Sequence, residues 1–162
     1  MNSKYEINTK ENREFLKASC EELLNFGHRF PSPNGGSYYL GDDGTPWKDR
    51  NRETWITCRM AHVYSLGLML GHEGSGELAD AALKGLKGEL HDEKNGGWYA
   101  GVTPEGGIVP NKQCYAHAFV ILAASSALTA GRPGAKELLE EALDVYDQHF
   151  WNEEEGLACD TW

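Results

Sequence analysis

The chain has 162 residues, 25 Asp and Glu against 15 Lys and Arg, a formal charge of −10 at pH 7 and 40% apolar residues. With no Lys/Arg cluster, that charge gives no footprint for a phosphate backbone and repels an anionic membrane surface, so nucleic-acid and membrane roles are set aside. No run nears the roughly 18 apolar residues that span a bilayer, and the opening MNSKYEINTKENREF is polar where a secretory leader is apolar, so a cytoplasmic protein is expected.

Taken in chain order, Glu11 to Phe26 has the apolar spacing of an amphipathic helix, with Phe15, Leu16, Leu23, Leu24 and Phe26 apolar and Gly27 as its stop. A long Gly/Pro/Asp/Tyr stretch follows, from His28 to Arg52. Within it, Ser37 to Leu40 and Thr45 to Trp47 read as a hairpin around Gly41-Asp42-Asp43-Gly44. The strongest helical signal runs from Glu53 to Leu70 and stops at Gly71, and a second helix covers Ser75 to Leu90. After the polar turn His91 to Gly97, two short strands, Trp98 to Val102 and Gly107 to Val109, form another hairpin. Lys112 to Ala130 is again helical and stops at Gly131-Arg132-Pro133-Gly134. A last helix, Ala135 to Phe150, ends in the polar turn Trp151 to Gly156. Cys20, Cys58, Cys114 and Cys159 have no CxxC spacing and are expected as reduced thiols. Five Trp, seven Tyr and 19 Gly in so short an acidic chain suit a scaffold that offers aromatic faces and glycine turns to a carbohydrate.

Shifted by about 60 residues, the chain matches itself: Ser65 meets Ser125, Leu68 meets Leu128, Gly71 meets Gly131 and Gly74 meets Gly134. Glu77, Leu78, Ala82, Leu83, Glu93 and Gly96 likewise meet Glu137, Leu138, Ala142, Leu143, Glu153 and Gly156. The unit is a helix, a tight glycine turn, a second helix and a glycine-rich loop, occurring twice; the first helix reads as the second half of a further unit. Repeated αα-hairpins stack as a solenoid or curl into a toroid. The first helix of each pair is nearly all apolar and the second carries the charge, which predicts an inner layer wrapped by a solvated outer one.

Polar groups on an apolar inner helix are informative, because burying them unpartnered is costly. Trp55, Arg59 and His62 share one face. Arg59 reads either as a buried ion pair or as a fixed cation on a cavity wall, able to hold hydroxyls or a developing oxyanion. For His62 a hydrogen-bonded core residue is favoured over a ligand contact. In the next unit Tyr115 takes the place of Trp55 and Phe119 that of Arg59, so Tyr115 is a candidate for the same cavity, evenly balanced against core packing. Lys112 lies near a cavity rim, and Trp98 and Tyr99 read as a stacking platform or as loop packing. Neither HExxH, a P-loop, a Rossmann fingerprint nor GxSxG occurs, and Cys58 with His62 is half a metal site, so no metal or cofactor is expected.

Four blocks carry a resemblance: Thr54 to Ser65 (TWITCRMAHVYS), Asn95 to Ala100 (NGGWYA), Lys112 to Phe119 (KQCYAHAF) and Phe150 to Glu155 (FWNEEE). Together they resemble the N-terminal portion of the N-acylglucosamine 2-epimerase family, nearest its aldose–ketose isomerase branch acting on mannose or sulfoquinovose. The resemblance implies an all-α fold of αα-hairpins. Residues 1–162 would form the N-terminal part, with about five helices, of one (α/α)6-barrel domain that has short β-hairpins in its loops.

It further implies cofactor-independent isomerisation of a monosaccharide through a cis-enediolate, with proton transfer by histidine. Arg59, Trp55 and Tyr115 match sugar-lining positions, and His62 is a weaker candidate. None of the six histidines matches the family's catalytic ones, which are expected downstream, so the chain alone is expected to be inactive, with self-association or a missing C-terminal half. N-acylglucosamine or cellobiose 2-epimerisation, and a helical-repeat binding module without catalysis, stand as the alternatives.

Overall fold

The computed structural model describes residues 3–162. After a 3-10 turn at Ser3–Tyr5 come five helices: α1 (Lys10–Gly27), α2 (Thr54–Met69), α3 (Ser75–Leu86), α4 (Cys114–Thr129) and α5 (Ala135–His149). Every helix expected from spacing forms. α3 ends four residues before Leu90, because the N–H groups of Gly88 and Leu90 both turn back to the Gly85 carbonyl. Gly27 is the last residue of α1 rather than its stop. A Cβ there would lie 2.4 Å from the Tyr64 hydroxyl, which donates to the Leu24 carbonyl at 2.8 Å and fastens α1 to α2.

The strands are two-residue ladders confined to the loops. β1 (Tyr39–Leu40) pairs with β2 (Pro46–Trp47), and β4 (Gly101–Val102) with β5 (Ile108–Val109), as the two expected hairpins. Two further pairings were not anticipated. β3 (Arg52–Glu53) joins β4 antiparallel, with Glu53 opposite Gly101. β6 (Trp151–Asn152) pairs with β7 (Leu157–Ala158) across what reads as a plain polar turn. Ladders of two residues leave no alternation for a pattern to register.

α2 and α4 pack side by side, α3 packs on α2, and α5 packs on α4. Alanines set the close spacing: Ala61, Ala79, Ala82, Ala123, Ala124, Ala127 and Ala142 are all fully buried. Both inner helices end in the same way. Gly71 and Gly131 take left-handed backbone (φ 82° and 68°), and the next residues, His72 and Arg132, donate back to the carbonyls of Gly67 and Ala127. The outer layer is tied across the repeat by Arg132 to Asp80 and by His91 to Glu141. All four cysteines are free.

The loops at the opposite end repeat three times, not twice. Phe30, Leu90 and Phe150 are fully buried anchors, one per loop. The carbonyl of each accepts a backbone N–H a few residues on, from Tyr38, Tyr99 and Cys159 respectively. Asp92 and Asn152 template their loops alike. The Asp92 Oδ1 takes the N–H groups of Lys94 and Asn95, and the Asn152 Oδ1 takes those of Glu154 and Glu155. Two residues before each inner helix a cation closes the loop, Arg52 onto the Gly35 carbonyl and Lys112 onto that of Gly96.

α1 is therefore an outer helix whose own hairpin partner is absent from the described residues. Leu23 is 71% exposed where its repeat equivalent Leu83 is 1%, and Phe26 is 44% exposed where Leu86 is fully buried. Leu16 is exposed beside them.

Candidate functional site

The up-and-down order of the helices brings the N-terminal ends of α2 and α4 and the three long loops to one end of the molecule, and most of the candidate residues lie there. Trp55, in the first turn of α2, is half-buried; Arg59, one turn on, is exposed. The Arg59 guanidinium lies over the Trp55 ring at 4.6 Å and over Phe119 of α4 at 5.0 Å, and its Nη2 donates to the Tyr115 hydroxyl at 3.3 Å. Trp55 and Tyr115 stand with ring centroids 6.1 Å apart, and Tyr115 meets Phe119 edge-on at 5.0 Å. Of the two readings of Arg59, the buried ion pair is not what forms: no carboxylate pairs with it among the described residues. It is a cation clasped between aromatic faces, with donors left over.

His62 lies farther along α2, half-buried, with its Nδ1 2.6 Å from the Ser126 hydroxyl of α4. That bond ties the two inner helices and matches the core reading. Lys112 does not reach a rim. It is buried, paired with buried Asp92 at 2.8 Å, with the Trp162 ring 4.0 Å away. Trp98 is fully buried and donates its indole N–H to the Leu86 carbonyl at 2.7 Å, so loop packing holds and no platform is presented. Among the described residues no group of three His, Cys, Asp or Glu is placed to hold a metal ion. Burial pushes the Cys58 thiol well up, which leaves it inert as a ligand or nucleophile at neutral pH.

Two members of the cluster were not singled out from sequence. Glu53 accepts the Trp55 indole N–H at 2.7 Å and also the Tyr39 phenol, both on Oε2. Tyr39 meets Trp55 edge-on at 6.4 Å, and burial, followed by the bond to Glu53, raises its phenol above the usual range. Spacing alone does not find this pair. Glu53 and Trp55 are two apart and would not face each other within a helix, but Glu53 is the extended N-cap residue and its side chain turns back.

The remaining histidines are committed elsewhere. His28 turns back to the Asn25 carbonyl, His72 bonds Ser75, His91 bonds Glu141 and His149 stacks on Trp162 at 3.6 Å. His117 is fully buried: its Nε2 accepts the Trp98 N–H at 3.0 Å, and its Nδ1, 2.8 Å from the Gln113 carbonyl, donates to it. Those partners fit only the neutral ring, and burial pushes it down to about 4. A histidine lowered on folding leaves the unfolded chain binding the extra proton, so its contribution is complete above about pH 6.5 and is lost as pH falls towards 4. Urea unfolding of the native chain across that window should show a steeper fall in stability than a His117→Gln variant; identical slopes would mean the ring is accessible.

A cluster of tilted aromatic rings around a guanidinium with free N–H groups suits a polyhydroxylated ring. The aromatic faces cover its C–H surface, and the guanidinium binds hydroxyls or an oxyanion.

Known proteins carry the same architecture. Over 96% of this chain and 39% of the other, a crystallised D-mannose isomerase superposes with a TM-score of 0.82 at 25% identity. The cellobiose 2-epimerase of Bacillus thermoamylovorans gives 0.80 at 23% identity, over 93% and 41% of the two chains, a likeness of fold alone. In sequence, the D-mannose isomerase of Thermobifida fusca is 40% identical over 151 residues, covering 93% of this chain and 37% of that protein. The D-mannose isomerase of Pseudomonas cannabina pv. alisalensis is 35% identical, over 96% of this chain and 37% of its own length. The chain thus spans about two fifths of the length of these relatives. The family model for N-acylglucosamine 2-epimerase (GlcNAc 2-epimerase) matches residues 35–162, and the chain belongs to that family.

Proposed function

We propose that residues 1–162 are the N-terminal part of one (α/α)6-barrel domain of a cofactor-independent sugar isomerase. It would interconvert an aldose and a ketose of the mannose type, or the sulfoquinovose type, through a cis-enediolate. The observation that carries the reading is the cluster of Arg59 held between Trp55, Phe119 and Tyr115 at the loop end of the inner helices. The identity to D-mannose isomerases favours isomerisation over 2-epimerisation, and favours an enzyme over a binding module.

In this reading Trp55 and Tyr115 hold the open-chain sugar, and Arg59 faces the oxygen that gains charge as the α-proton leaves. The proton itself would be moved by histidines outside this chain, since His62, the histidine on the same face of α2, is spent on Ser126. The exposed apolar side chains of α1 and those of α2 and α4 (Val63, Leu66, Leu122, Leu128) mark where the rest of the ring would close. Alone, the chain should self-associate through them.

Assays of D-mannose–D-fructose and sulfoquinovose interconversion test the proposal. The 162-residue chain should be inactive, and a fusion to the C-terminal part of a D-mannose isomerase should be active. In that fusion Arg59→Ala should lower kcat/KM by a factor on the order of 100, the loss expected for one preorganised oxyanion donor, with the fold intact. Turnover by the short chain, or full turnover by the variant fusion, would sink the reading.

A further inference from the structure

We infer that Glu53 is a positioning residue of this site: its carboxylate clamps the Trp55 indole and the Tyr39 phenol beside Arg59 and so extends the wall to the β1–β2 hairpin. The inference deepens the proposed function, on which only the sugar arm of its test rests.

A short side chain such as Asp at an N-cap accepts N–H groups of its own first helical turn, whereas Glu is not a favoured cap. Glu53 makes no such bond. The next loop holds the start of α2 instead: the Thr54 N–H donates to the Ala100 carbonyl at 3.0 Å, and the Thr54 hydroxyl to that of Tyr99 at 2.6 Å. The repeat shows that this is built in, because Cys114 at the start of α4 donates in the same way to the Asp160 carbonyl at 2.9 Å. The carboxylate stays at a helix N-terminus, where negative charge is favoured, and the β3–β4 ladder opposite Gly101 fixes its backbone.

What it does there is gather rings. One oxygen, Oε2, takes both the Trp55 and Tyr39 donors. No Lys or Arg forms an ion pair with Glu53 among the described residues, so both aromatic donors meet an undivided charge. Tyr39 in turn belongs to the hairpin against which the Arg50 guanidinium lies, over Trp47 at 4.3 Å and farther from the Tyr39 ring at 5.9 Å. The result is a continuous wall, Arg50, Tyr39, Trp55, Arg59, Tyr115, with Glu53 behind its middle. Trp55 is only half-buried; without the clamp, packing alone would have to select its rotamer.

Nitrogen-15 indole spectra of the 162-residue chain test this directly. In Glu53→Ala the Trp55 indole proton should exchange with solvent about tenfold faster, with loss of the Trp55–Tyr115 Overhauser contact and unchanged far-ultraviolet dichroism. In Glu53→Gln, whose amide oxygen can accept both bonds, protection should return to near the native value. Equal protection in native and Glu53→Ala chains would overturn the inference. Should Glu53→Ala lose its helical signal, Glu53→Gln decides alone, slow exchange supporting the clamp and fast exchange overturning it. Added D-mannose should shift the Trp55 indole resonance of the native chain. A protected indole that ignores the sugar would remove the sugar reading and leave the clamp standing.

Discussion

Lys112→Met should lower the free energy of unfolding by about 4 kcal/mol at pH 7, the largest effect expected of a single side chain here, because it breaks a buried ion pair from one side. Lys112 and Asp92 are 6% and 3% exposed, and Nζ lies 2.8 Å from Oδ2. Methionine fills most of the lysine stem's volume, so the loss is electrostatic rather than a cavity effect. The carboxylate is left with the N–H groups of Lys94 and Asn95 and the Asn95 amide, but without a counter-charge. The Lys112 bond is foremost among the causes that hold the Asp92 carboxyl well below the usual carboxylate range.

A carboxyl lowered on folding contributes stability above its unfolded value, near pH 4, and loses it progressively as pH falls below that. Urea titrations should therefore show the gap between native and Lys112→Met chains at its full size near neutrality and shrinking under acid conditions. Adding Asp92→Asn to the variant should recover part of the loss. A gap below about 1 kcal/mol at pH 7 would show that water reaches the pair.

Gly85→Ala should cost about 3 kcal/mol, although alanine is the better helix former by roughly 1 kcal/mol. The two effects have opposite signs, and geometry decides between them. A Cβ on Gly85 would lie 2.3 Å from the Gly36 nitrogen and 2.5 Å from its Cα, backbone against backbone. Neither side can give way easily: the Gly36 N–H donates to the Ala81 carbonyl of the same helix at 3.1 Å, and Arg52 holds the Gly35 carbonyl at 2.9 Å. Gly76, in the same helix, is the control. A Cβ there meets only the guanidinium end of Arg132, at 3.2 Å or more, so Gly76→Ala should be near neutral. Thermal melts of the three chains measure the contrast, and a Gly85→Ala chain as stable as Gly76→Ala would mean that the first loop is not seated on α3.

Helices were legible from sequence because each leaves a long periodic stripe, and the repeat because its glycine stops recur in register at Gly71 and Gly131. The third copy of the loop was not. Its anchors Phe30, Leu90 and Phe150 share only apolarity, and the first loop is one residue shorter between anchor and closure, so an ungapped comparison passes over it. At the site, the helical face predicted the company of Trp55 and Arg59, and the repeat made Tyr115 a candidate for the same cavity, evenly balanced against core packing. That Arg59 is clasped by rings instead of buried on an acid depends on the side-by-side packing of α2 and α4. Glu53 and Tyr39 are separated by a hairpin and meet only when it folds over; no spacing rule connects them. Lys112 read as rim and proved structural for the same reason, since the β4–β5 hairpin separates it in the chain from its partner Asp92.

Each long loop closes on its own anchor before it does anything else. Only afterwards does the chain run out into a hairpin, Tyr39 to Trp47 in the first loop and Gly101 to Val109 in the second, and return to the cation that precedes the inner helix. Both excursions lie outside that closure, but each is tied down at its base, the first by Tyr39 on Glu53 and the second by the β3–β4 ladder and buried Val102, so only their tips are free to change length. Lengthening one adds only the slowly growing entropy of a longer surface loop. In the first hairpin the interchangeable part is the exposed pair Asp42-Asp43, because Gly41 and Gly44 on either side are buried and a Cβ on Gly44 would lie 3.3 Å from the Phe26 carbonyl. That pair can be resized, or grafted from one relative onto another, to change what approaches the wall while the scaffold beneath stays as it is.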